Sequence, residues 1–64
     1  MSGAQEQLRR LKNTIMGAGH RLSILGRSGE LDPDASHELR AISAALTDAA
    51  QRLERMLGRL PREP

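Results

Sequence analysis

The chain contains no cysteine, which excludes disulfides and thiolate metal sites. It also lacks phenylalanine, tyrosine, tryptophan and valine. Strands favour β-branched and aromatic side chains. A core made of Leu, Ile, Met and Ala suits helix-on-helix packing instead. No apolar run approaches the ~18 residues that read as a membrane span. No short apolar stretch follows a basic start ahead of a cleavage site. The expected location is therefore cytoplasmic, with no membrane partner. There are only two histidines, and neither has the spacing of a zinc site. No cofactor and no metal are expected.

The 64 residues allow one domain. Below about 70–80 residues a single core rarely supplies more than ~3–5 kcal/mol. Small chains add disulfides, a metal or oligomerisation. With the first two excluded, self-association is the remaining means of stabilisation.

Two heptad patterns run along the chain. In the first half, apolar residues recur at Leu8, Leu11, Ile15, Ala18, Leu22 and Leu25. The alternating steps of three and four make an a/d seam. Ser2 followed by Gln5 has the form of a capping box, and Gly29 is the expected stop. The first helix is expected over about 3–28, with a turn over about 28–32. In the second half, Asp32-Pro33-Asp34 places a capping carboxylate ahead of a proline at the first helical position. Leu39, Ile42, Leu46, Ala49, Leu53, Met56 and Leu60 then repeat the heptad spacing. The second helix is expected over about 33–60, ended by Pro61, with a loose tail over 61–64.

A short connection between two long helices makes them antiparallel neighbours. Folding at the turn is expected to pair Leu25 with Leu39, Leu22 with Ile42 and Ala18 with Leu46. Ile15 then falls beside Ala49, Leu11 beside Leu53 and Leu8 beside Met56. The flanking positions hold Gly19 and Gly26 on one helix and Ser43, Ala50 and Leu57 on the other. These small or apolar residues are expected between hairpins, where a second copy approaches. The fold class is all-α: an antiparallel two-helix hairpin, dimerising into a four-helix bundle.

Charge is uneven. Residues 1–29 hold five basic residues against one acid, for +4, and residues 30–64 hold five against seven, for −2. Glu30, Asp32, Asp34 and Glu38 make the loop end acidic, while the end holding both termini is basic. Hairpins laid head to tail set unlike charges side by side, which favours orientation more than affinity.

Little chemistry is legible. His20 and His37 fall on outward positions with no converging partner. Gly17-Ala18-Gly19 sits inside a helical pattern with no preceding strand, unlike a phosphate loop. No enzyme is expected. Met16, His20 and Ile24 follow one another at i+4 spacing outside the seam, forming a candidate patch for a partner protein. Arg9, Arg10, Lys12, Asn13, Arg21 and Arg27 form a candidate nucleic-acid face on the first helix, although no aromatic is present for base stacking.

Glu30-Leu31-Asp32-Pro33-Asp34 and the heptads after it resemble the RNA one modulator (Rop) family of plasmid copy-number proteins. That resemblance implies an antiparallel hairpin dimer and RNA binding through the first helix. In that family an aromatic on the binding face matters, and this chain has none. Ser28-Gly29-Glu30-Leu31, with Ser36, Leu39, Ala45 and Leu46, is also similar to the small subunit of exonuclease VII. That family's Phe-Glu-x-Ala-Leu start is missing here. In outline the hairpin is similar to phage proteins that sequester cyclic-nucleotide immune signals. The expected function is regulation or adaptation through protein–protein contact by a homodimer. The alternatives are RNA modulation and a small-ligand sponge between hairpins.

Overall fold

The computed structural model describes residues 3–61. Ser2 of the expected capping box and residues 62–64 of the expected tail lie outside them. Two helices make up the fold: α1 (Gly3–Gly26) and α2 (Pro33–Arg59). They pack side by side as an antiparallel hairpin, with extents of 51 × 15 × 11 Å. No strand occurs among the described residues.

The turn is built by local hydrogen bonds. The Arg27 N–H donates to the carbonyls of both Ser23 and Ile24, at 3.2 and 3.1 Å, a shared bond common where helices end. The Ser28 N–H and hydroxyl both donate to the Leu25 carbonyl, at 3.2 and 2.8 Å. Gly29 then takes φ +82°, a left-handed conformation that glycine adopts without a Cβ penalty. Helix α1 therefore ends at Gly26, two residues before the expected boundary, because Ser28 closes the last turn with its side chain.

Helix α2 opens as its sequence dictates. Asp32 sits extended at φ −65°, ψ 163°, and its carboxylate accepts the Ala35 N–H at 2.7 Å. Pro33 occupies the first turn, where an N–H would have no helical partner. At the far end Leu60 leaves the helix as an extended cap, with its N–H donating to Leu57.

The contact between the helices differs from the expected seam by a rotation. On a helix of 3.6 residues per turn, Leu11, Ala18 and Leu25 flank the column Leu8–Ile15–Leu22 on one side. Lys12, Gly19 and Gly26 flank it on the other. The second flank is the one turned towards α2. Gly19 is buried, Lys12 and Gly26 are half-buried, and Leu11, Ala18 and Leu25 are exposed. In α2 the flank Ser36, Ser43, Ala50 and Leu57 is turned inward: Ala50 is 2% exposed and Ser43 is buried. Leu8, Ile15, Leu22, Leu39, Leu46, Leu53 and Leu60 belong to both columns and are half-buried.

Axial register is close to that expected, because the same turn sets it. Where Leu25 was expected against Leu39, a Cβ built on Gly26 would lie 3.8 Å from Leu39. Where Ala18 was expected against Leu46, a Cβ on Gly19 would lie 3.5 Å from Leu46 and from the Ser43 carbonyl. The Ser43 hydroxyl donates to the Gly19 carbonyl at 2.6 Å. Gly19, Gly26, Ser43 and Ala50, with Leu57 on the same azimuth, thus serve the hairpin's own interior. This corrects their expected place between hairpins. The reason is close packing: small residues let the backbones approach, and a leucine column at Gly19 and Gly26 would hold them apart.

Candidate interaction surface

Turning the small residues inward leaves large ones outside. Leu11 is 54% exposed, Leu25 48% and Ile42 41%. With Ala18, and with half-buried Ala49 and Met56 on α2, they form one apolar face running the length of the hairpin. Leu11, Ala18, Leu25 and Ile42 were expected in the inner seam, and the rotation places them on this open face instead. Thr14 beside it turns its hydroxyl back onto the Arg10 carbonyl at 3.0 Å, which satisfies the group within its own helix. An open hollow of about 380 Å³ lies over Asn13, Thr14, Gly17, Ala18 and Arg21. A larger one of about 810 Å³ lies over Ala49, Leu53 and Met56, rimmed by Arg52, Arg55 and Arg59.

The opposite side is a shallow polar groove. Met16, His20, Ser23 and Thr47 flank Gly19 and Ser43, around about 240 Å³. Lys12, Asn13, Gln51 and Glu54 continue it past Ala50. Lys12 donates to the Glu54 carboxylate across the groove. The Lys12 side chain is 18% exposed, its stem lying along the hairpin while the ammonium reaches Glu54. This hydrogen bond, then the Lys12 charge, and last the weaker pull of Arg9 hold the Glu54 carboxyl below its ordinary value.

Of the candidate partner patch, Met16 (54% exposed) and His20 share that groove. Ile24, 48% exposed, lies farther round, because each i+4 step turns roughly 40° about the helix. The basic residues of α1 do not converge on one face. Arg9 and Arg27 share one azimuth, while Arg10 and Arg21 share another about a third of a turn away. Arg10 lies 3.8 Å from Glu6, and Lys12 is held by Glu54. Asn13 lines both the groove and the hollow over Ala18.

His37 is exposed at the start of α2. Among the described residues no group of three His, Asp or Glu side chains is placed to hold a metal ion. None of the helices is long and apolar enough to cross a membrane. No family model matches this sequence, and comparisons with curated proteins and with solved structures give no significant match.

Proposed function

We propose that this chain is a non-enzymatic regulatory or adaptor protein that acts through protein–protein contact as a homodimeric helical hairpin, the two hairpins forming a four-helix bundle. The observation that carries this reading is the apolar face of Leu11, Ala18, Leu25 and Ile42, which the hairpin leaves uncovered. Exposed apolar faces of this continuity mark association surfaces. With that face taken by self-association, Met16, His20 and Ile24 remain outside to meet a partner protein. The RNA reading draws less support, because the arginines of α1 are split between two azimuths and Lys12 is engaged by Glu54. A nucleotide sponge draws none from the groove, whose walls hold one lysine already neutralised.

The test is size-exclusion chromatography with light scattering and refractive index, recording absorbance at 260 nm on protein purified from cells. The chain has no Trp, Tyr or Cys, so absorbance that travels with it belongs to something bound. A dark peak at twice the chain mass is expected. A monomer at every concentration overturns the homodimer. A 260 nm signal lost in high salt moves the function to RNA, and one that persists moves it to a held nucleotide. Met16→Asp or Ile24→Asp is then expected to abolish partner capture without changing the mass.

A further inference from the structure

Arg52, Arg55 and Arg59 stand on one side of α2, within about 60° of one another about the axis and over about 10 Å of its length. That side is turned away from α1, since the buried residues of α2, Ser43 and Ala50, lie about half a turn round. All three arginines are exposed. The ion pairs among the described residues are Arg10 with Glu6 and Lys12 with Glu54. None of the three is paired, not even Arg52 with Asp48 one turn before it. Arg59 lies in the last turn and complements the dipole of its own helix. Arg55 and Arg52 lie one and two turns earlier, beyond that effect. Together the arginines rim the hollow of about 810 Å³ over Ala49, Leu53 and Met56, all of them half-buried.

Towards the turn the same side changes sign. Asp34, Glu38 and Asp48 share it within about 40° of Arg52, and all are exposed. The outer edge of α2 is therefore acidic up to Asp48 and basic from Arg52 on. This split selects the occupant. A nucleic acid or an anionic membrane is negative over a far greater length and would set Asp34, Glu38 and Asp48 against its own charge. The chain also has no aromatic side chain to stack on a base or to anchor at a membrane interface. A short acidic segment with apolar side chains beside its carboxylates suits both parts of the site. Carboxylates take guanidinium groups through two parallel hydrogen bonds, and an apolar side chain covers Met56.

We infer that Arg52, Arg55 and Arg59, with the hollow they rim, form a docking site for an acidic amphipathic helix of another protein, laid along the outer edge of α2. Run antiparallel to α2, such a helix sets its first turns beside the arginines, and helix starts favour acidic residues. This goes beyond the partner patch of Met16, His20 and Ile24 and does not depend on the homodimer. Ala49 and Met56 border the open apolar face, and the arginines lie on their far side from it.

The test uses the full chain and two labelled synthetic peptides of identical composition, each about four helical turns long. One carries glutamates three and four residues apart on one side with leucines beside them. The other spreads the same residues round the helix. By fluorescence anisotropy the ordered peptide is expected to bind about tenfold or more tightly than the other, with affinity falling as salt is raised. Arg52→Ser with Arg55→Ser is expected to lose about tenfold or more of that binding, whereas Arg21→Ser on α1 leaves it unchanged. No binding of the ordered peptide, or binding untouched by the double variant, overturns the site. Equal binding of the two peptides, or equal loss with Arg21→Ser, reduces it to bulk charge and overturns it as well. Tighter binding through the same arginines to phosphatidylserine vesicles or to duplex RNA assigns the stripe to that partner instead. A change of mass by light scattering in the double variant places the arginines between copies of the chain and also overturns the site. A wild-type monomer that still binds the ordered peptide through these arginines overturns the homodimer reading alone.

Discussion

Gly19 and Gly17 are two residues apart in one helix and do opposite things. Gly19 faces α2, where a Cβ would lie 3.5 Å from Leu46 and from the Ser43 carbonyl, so its missing side chain is a packing feature. At Gly17 a Cβ would meet nothing within 4 Å, so its missing side chain only weakens the helix. Gly17→Ala should raise the stability of the hairpin by up to ~1 kcal/mol, the propensity difference at an exposed position. Gly19→Leu should cost about 1–3 kcal/mol through overpacking. Urea denaturation followed by circular dichroism separates the two, and equal effects would contradict the inner contact described above. Glu54 gives a residue-scale dependence on pH. Its carboxyl is held down by Lys12, so its contribution to stability is present at neutral pH and disappears as pH falls through its folded-state value. Glu54→Gln should therefore flatten the loss of stability below the ordinary carboxylate range. Added salt should do part of the same, since the pair is exposed on the Glu54 side.

At the level of the elements, the start of α2 is the best-defined boundary in the chain. Replacing Asp32 by Ala removes the acceptor of the Ala35 N–H and should cost about 1 kcal/mol, read as a lower urea midpoint with unchanged slope. Asn at the same position should recover most of it. Both helices, the turn between them and this cap were legible in the sequence, because heptad spacing and the Asp-Pro-Asp start leave few other structures open. Rotation of the helices about their axes was not. Leu8, Ile15 and Leu22 belong equally to two columns, and hydrophobicity alone selects Leu11, Ala18 and Leu25 as the third flank. What decides it is distance of approach, which favours Gly19 and Gly26 over leucine. A lysine turned inward at position 12 is likewise invisible to a hydrophobic pattern, since it depends on Glu54 standing across the groove. The small residues themselves are the available signal. They mark a site of close approach, but their spacing does not say which pair of surfaces approaches.

For the molecule as a whole, the hairpin is long and thin, and the described residues bury only one apolar residue, Ala50, to the level of a core. A monomer built this way is marginal, so in the proposed homodimer stability and assembly would be one equilibrium. The melting temperature should rise with protein concentration, and Leu11→Asp should remove that dependence while leaving a weakly helical monomer. A concentration-independent melt would show that the hairpin stands alone. The same geometry fixes where the chain ends emerge. The Gln5 side-chain amide donates to the Pro61 carbonyl at 2.8 Å, so both ends of the described chain leave from one pole of a body 51 Å long. In a homodimer whose hairpins lie head to tail, the second copy's ends would leave from the other pole. Anything joined to either terminus would be duplicated and held about one hairpin length apart, so that the bundle acts as a rigid strut setting the reach of a bivalent grip.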